Sequence, residues 1–207
     1  MNNNEKVEIF IAHVKSECEK HGVEYRRFNG PFVELTESIK CSGFFSDGTD
    51  EMFDSPVLCF ADEREDWLEI LVHEYCHMTQ WLDKDDFELW EKATDAMDFV
   101  DKWIGGEDIP GIEKHINISR DLELDNEKRS VEMVKKFDLP IDVPRYIKKS
   151  NAYVHFYNHI KITRKWSDPG NAPYQNENVL EAMSEQFDMD YVNLSEDLRN
   201  LFITENI

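Results

Sequence analysis

The sequence His73-Glu74-Tyr75-Cys76-His77 constrains the fold of this chain more than any other feature. It lies in an apolar stretch, residues 70–78, that contains neither proline nor glycine and so predicts a helix buried on nearly every side. Residues four apart share one helical face, so both imidazoles can reach one metal ion. Glu74 lies beside that face, where a carboxylate can take a proton from a metal-activated water. The alternative is a pair of histidines hydrogen-bonded inside a helical core.

Two histidines need a third protein ligand to hold a catalytic zinc, with one position left for water. A third histidine six residues after His77 is absent, because Asp83 stands there. If the helix continues without a break, Asp83 lies off the face that carries the histidines. Cys76 also points away from that face and is predicted to be a small core residue. The third ligand must therefore come from elsewhere in the chain.

A predicted helix over residues 119–137, with Ser119 as its cap, carries two carboxylates in its apolar stripe. Glu123 and Glu127 lie about 40° apart on the helical wheel, in line with Val131 and Val134. A buried carboxylate must be paired or bound to a metal. We predict Glu123 as the third zinc ligand and Glu127 as the group that orients a zinc histidine, although either glutamate could bind. The alternative is that both form buried salt bridges to Arg or Lys.

The periodicity of the chain predicts an α+β fold with an N-terminal helix, a small sheet and a mostly helical C-terminal half. Its 207 residues predict one domain, with a helix and sheet over 1–62, metal-site helices over 63–137 and a helical part over 138–207. The predicted strands cover 32–35, 40–45 and 56–61, and the predicted helices cover 5–21, 63–82, 85–104, 119–137, 144–166 and 178–187, with a last helix from Ser195. Gly22 is predicted to end the first helix, Asp62 to cap the second and Pro144 to lie in the first turn of the helix 144–166. A polar loop is predicted before Ser119.

The composition excludes several classes of partner. The chain has 44 acidic against 23 basic residues, a formal net charge of -21, and so lacks the basic face that nucleic acids or anionic membrane surfaces require. It has no apolar run long enough to span a bilayer and no apolar segment behind its polar N-terminus, which predicts a cytoplasmic protein. In that setting the four scattered cysteines are predicted to be free thiols.

On these two motifs the chain resembles small zincin metallopeptidases of the gluzincin type. The stretch Glu123-Leu-Asp-Asn-Glu127 is similar to the second motif of that family, with Glu in place of the final Asp. It is also similar to the second motif of ImmA/IrrE-like and phage-borne peptidases, and the resemblance covers roughly residues 32–137. It implies a zincin-like fold, a zinc site, and an edge strand before the motif helix that aligns an extended peptide, a role that residues 56–61 fit.

The resemblance also implies a Tyr or His that stabilises the oxyanion of the reaction. Tyr153 and Tyr157 are the candidates, on one face of the predicted helix 144–166, although a tyrosine stripe at helical spacing is more often core.

The sequence therefore predicts a hydrolase, a zinc-dependent peptidase acting on a protein or peptide through a metal-activated water. His73, His77 and Glu123 would bind Zn²⁺, and Glu74 would be the general base. One alternative is a non-catalytic, zinc-stabilised interaction module on the same scaffold, for which His115 in a loop could supply a fourth ligand. Another is a helical binding module without metal.

Overall fold

The protein is described from a computed structural model that covers residues 1–34, 40–49, 53–83, 87–168 and 170–207. These residues form an α+β fold with five short strands and seven α-helices, which confirms the predicted fold class. The strands are β1 (Glu24–Phe28), β2 (Val33–Glu34), β3 (Lys40–Cys41), β4 (Gly43–Ser46) and β5 (Val57–Ala61). The helices are α1 (Asn3–His21), α2 (Trp67–Leu82), α3 (Phe87–Ile104), α4 (Ile112–Phe137), α5 (Val143–Thr163), α6 (Glu177–Ala182) and α7 (Glu196–Thr204).

Local signals set both ends of α1. Asn2 accepts a hydrogen bond from the backbone of Glu5, and the Glu5 carboxylate accepts one from the backbone of Asn2, which forms a capping box. The helix stops at Gly22, whose φ of 70° is the left-handed conformation that glycine tolerates best. Gly22 as the terminator was predicted from the sequence and is confirmed.

Helix α2, which carries the motif, begins later than predicted. We expected a start at about residue 63 with Asp62 as the cap, and this is wrong, because α2 begins at Trp67. The carboxylate of Asp62 is instead 2.5 Å from Arg27 Nε, and the chain turns before entering the helix. The predicted C-terminal end at Leu82 is confirmed.

The principal sheet has the strand order β1-β5-β4. Strand β5 pairs in parallel with β1 and antiparallel with β4, so it is the central strand. The prediction that residues 56–61 form an edge strand is therefore wrong, since strand order depends on pairing with β1, whose charged sequence gave no strand signal. Residues 40–45, predicted as one strand, form two, because β3 pairs with β2 and β4 pairs with β5. Among the strands described, β1 and β4 lie at the edges of this sheet.

Helix α4 is longer than predicted. It begins at Ile112, about two turns before the expected cap at Ser119. Ser119 is fully buried inside the helix. The residues before Ser119 contain apolar positions four apart, and Ile116 packs in a core cluster with Phe156. That packing favours helix over the polar loop that the sequence suggested.

The starts of α5 and α7 confirm two predictions. Pro144 lies in the first turn of α5, and Ser195 Oγ accepts a hydrogen bond from the Leu198 backbone at the start of α7. The expected end of α5 at residue 166 is wrong, because Arg164 takes a left-handed conformation. Its guanidinium donates to the backbone oxygen of Trp103 at 2.6 Å, which stabilises the turn.

The chain divides into two compact units. The first contains Met1–Phe87 and Lys128–Ile141, and its sheet packs one face in a cluster around Val33, Val57 and Cys59. The second contains Glu88–Glu127 and Asp142–Ile207. Its two clusters centre on Val100, Ile116, Phe156, Tyr157 and Ile160, and on Ala152, Val179, Leu180, Met183 and Phe202. The prediction of a single domain stays a prediction.

Two further predictions concern the cysteines and membrane-spanning segments. All four cysteines are free, as predicted. In the part of the chain that the structure describes, no helix combines the length and apolar character needed to cross a membrane.

We predict that His159 makes the free energy of unfolding depend on pH. Its ring is 1% exposed on α5, between Phe156 and Phe202, and burial lowers its pKa below the usual 6.5. Below that pH the unfolded chain takes up a proton that the folded chain resists, so the free energy of unfolding falls as pH drops. We expect His159→Phe to flatten this fall by at most about 1.4 kcal/mol per pH unit. Urea unfolding of the wild type and of His159→Phe between pH 7.5 and 5.5, in the presence of chelator, gives the slope of the free energy of unfolding against pH for each protein. Equal slopes would contradict the prediction.

Candidate metal centre

The two motif histidines converge at one point of α2. His73 Nε2 and His77 Nε2 lie 3.1 Å apart, with the rings nearly perpendicular and partly buried. Two nitrogens bound to one tetrahedral zinc at about 2.0–2.1 Å lie about 3.3 Å apart. The observed separation therefore fits a shared metal ion with only a small adjustment.

His77 is held as a neutral imidazole. Burial, and after it the adjacent His73, keep the pKa of His77 well below its usual range, against a raising contribution from its hydrogen bond with Gln80. That bond joins His77 Nδ1 and Gln80 Oε1 at 2.9 Å. A neutral ring is the form that binds a metal, so His77 needs no deprotonation near neutral pH.

Glu74 is buried beside the histidines and lies directly against strand β4. A methyl group on Gly43 would come within 2.8 Å of Glu74 Cγ, 2.9 Å of Glu74 Oε1 and 2.5 Å of Ile70 Cγ2. Burial raises the pKa of the Cys41 and Cys59 thiols to about 12, and the charge of Glu74 contributes next. Both thiols are thus protonated at neutral pH, and strand β4 fixes the position of the Glu74 side chain.

This contact makes Gly43 the basis of a testable prediction. We expect Gly43→Ala to displace Glu74 and to lower any hydrolysis that depends on it by about 10- to 100-fold, because small misplacements of a reacting group have effects of that size. Zinc content should not change. Gly30→Ala is the matched control, since its added methyl would meet nothing closer than 4.0 Å. Equal activity of the two variants, measured on one peptide, would contradict the prediction.

Glu123 joins the two histidines in one group. His73, His77 and Glu123 each offer a ligand atom, and these atoms all lie within 4.8 Å of one another. Glu123 is 6% exposed, which explains why a carboxylate in the apolar stripe of α4 needs a cationic partner. Among the described residues this is the one group of three or more potential ligands. His115 is not a member, and it lies in α4 against the ring of Phe99 rather than in a loop.

The other predicted site residues lie in the second unit. Ser150 Oγ donates to Glu127 Oε2 at 2.7 Å, and the orienting role predicted for Glu127 stays a prediction. The hydroxyls of Tyr153 and Tyr157 are 3.2 Å apart. Burial, and after it the charge of Glu123, hold the pKa of both phenols well above their usual range. Glu123 is therefore electrostatically close to two protonated hydroxyls.

The residues that the sequence set aside have structural roles. Asp83 Oδ2 is 3.1 Å from Arg129 Nη2, so this carboxylate is neutralised by an ion pair. Cys76 is fully buried, as expected of a small core residue.

Sequence reasoning missed two residues of the centre, Gln80 and Gly43. Gln80 had a usable signal, because a polar side chain three residues after His77 can reach it along one helical face. Gly43 had none, since its role depends on how β4 packs against α2.

Comparisons with family models, with curated proteins and with solved structures found no match to this chain. The gluzincin resemblance therefore rests on the two motifs, and the zincin-like fold stays a prediction. The functional interpretation depends on the chemistry of the residues themselves.

Proposed function

We propose that this chain is a zinc-dependent peptidase in which His73, His77 and Glu123 hold the metal. The observation that carries the proposal is the 3.1 Å approach of the two Nε2 atoms, with a Glu123 oxygen in the same group and Glu74 on the same helix. Two histidines and one glutamate are a donor set typical of catalytic zinc, which leaves one position for water. Structural zinc sites, by contrast, use four protein ligands.

A zinc ion held by His73, His77 and Glu123 would supply Lewis acidity at this site. Glu74 takes the proton of the attacking water on its carboxylate and delivers it to the leaving amine. The contact with Gly43 supports this role, because a side chain held in place loses less freedom on reaching the reactive geometry.

Tyr153 and Tyr157 are proposed to donate hydrogen bonds to the oxyanion that develops on the substrate. Their raised pKa supports this role, because both hydroxyls keep their protons at neutral pH. In their mutual contact one phenol donates its only proton to the other, so the accepting tyrosine is the one whose O–H can reach the oxyanion.

The substrate is proposed to be an extended peptide that runs alongside β4. The sequence pointed to residues 56–61 for this role, but β5 is central and β4 is the strand that packs against Glu74. A peptide aligned along β4 at Gly43 would bring its backbone next to the general base.

A cleavage screen tests the proposal. The full chain with one equivalent of zinc is incubated with a proteome-derived peptide library, and new termini are identified by mass spectrometry. The Glu74→Gln protein is the control for contaminating proteases. Cleavage by the wild type alone supports a peptidase. Stoichiometric zinc without cleavage would overturn it in favour of a zinc-stabilised interaction module, and absence of zinc binding would favour a metal-free helical module.

A further inference from the structure

Both ring nitrogens of His77 have close partners of different kinds. Nδ1 lies 2.9 Å from Gln80 Oε1, and Nε2 lies 3.1 Å from His73 Nε2. Gln80 is 2% exposed in the last turn of α2, so its amide is fixed by the surrounding core rather than by solvent. A buried, oriented oxygen next to one nitrogen decides which nitrogen carries the proton.

A neutral imidazole has one N–H and one lone pair. The amide oxygen of Gln80 can only accept, so His77 Nδ1 is the donor in this pair. Nε2 of His77 then presents its lone pair, which is the form a metal ligand requires.

We infer that Gln80 is a positioning residue that fixes the tautomer and ring direction of His77 for metal binding. The inference rests on the proposed metal centre and adds a residue that neither motif contains. A glutamine in this position orients the ring without adding a negative charge behind His77. A glutamate carboxylate would also accept from Nδ1, and its full negative charge would make that hydrogen bond stronger than the one to the amide oxygen. A glutamate at this position should therefore favour the metal-binding tautomer more strongly.

Zinc dissociation constants test the inference. They are measured by competition with a chromophoric chelator for the wild type, Gln80→Met and Gln80→Glu, with Gln186→Met, an exposed position, as the matched control. We expect Gln80→Met to bind zinc about 10- to 100-fold more weakly, as loss of a partner behind a metal ligand typically does. Gln80→Glu should bind at least as tightly as the wild type. Wild-type affinity in Gln80→Met, or weaker binding in Gln80→Glu, would overturn the inference.

A second measurement does not depend on a folded variant. Nitrogen-15 NMR of histidine-labelled wild type with zinc should show His77 protonated at Nδ1 and unprotonated at Nε2. The reverse pattern would overturn the role of Gln80. The two proposals fail in different ways. If the wild type binds no zinc, the proposed function is wrong. If the wild type binds zinc and Gln80→Met binds it equally well, only the role of Gln80 is wrong.

Discussion

The Glu74→Gln protein is expected to bind zinc as the wild type does and to hydrolyse peptides about 10²- to 10⁴-fold more slowly, the usual contribution of a general base. Glutamine has nearly the same shape as glutamate, so the packing against Gly43 is retained. What is lost is the ability to accept and return a proton. The measurement is kcat/KM on a peptide found in the cleavage screen, together with zinc content by elemental analysis.

Glu91→Gln provides the control, because Glu91 is an exposed residue of α3 and the substitution makes the same chemical change. It should leave kcat/KM unchanged. If Glu74→Gln cleaves the peptide as fast as the wild type, Glu74 is not the base and the proposed mechanism is wrong.

The second large effect is expected at Glu123. Glu123→Ala should lose zinc altogether, a greater loss than the 10- to 100-fold weakening produced by removing a partner behind a ligand. The reason is that this carboxylate is the third member of the ligand group and is almost fully buried. Zinc content after dialysis against a metal-free buffer measures the outcome.

Two carboxylate variants make this test specific. Asp83→Ala should keep zinc, because Asp83 is engaged by Arg129. Glu127→Gln should also keep it, since Ser150 can still hydrogen-bond to the amide at that position. Loss of zinc in Glu127→Gln with retention in Glu123→Ala would exchange the roles of the two glutamates.

Much of the helical structure could be predicted because its determinants are local. Gly22 ends α1 and Ser195 caps α7, and each acts on residues within a few positions of itself. The motif of α2 has the same property, since His73 and His77 are one turn apart on a helix that the sequence identifies. Local determinants also explain why Glu123 could be selected, because a carboxylate in an apolar stripe is visible from periodicity alone.

The features that could not be predicted depend on contacts distant in sequence. β1 has a charged sequence with no fully buried residue, and it is a strand because β5 pairs with it. The start of α4 was misplaced because Ser119 resembles a cap until the burial of Ile116 is known. In the candidate site, the hydrogen bond from Ser150 to Glu127 joins α5 to α4. The hydrophobic periodicity of each helix does not predict which residues of the two helices meet.

The parallel pairing of β1 with β5 has a consequence for how the protein folds. Glu24 is in register with Val57, so the chain between them must close a long loop before β1 can pair with β5. Helix formation takes about a microsecond or less, whereas pairing of distant strands is among the slower steps of folding. We therefore expect the motif helix α2 to form before the three-stranded sheet is complete. Because β4 reaches β5 through a much shorter connection, we expect the contact between Gly43 and Glu74 to form before β1 completes the sheet.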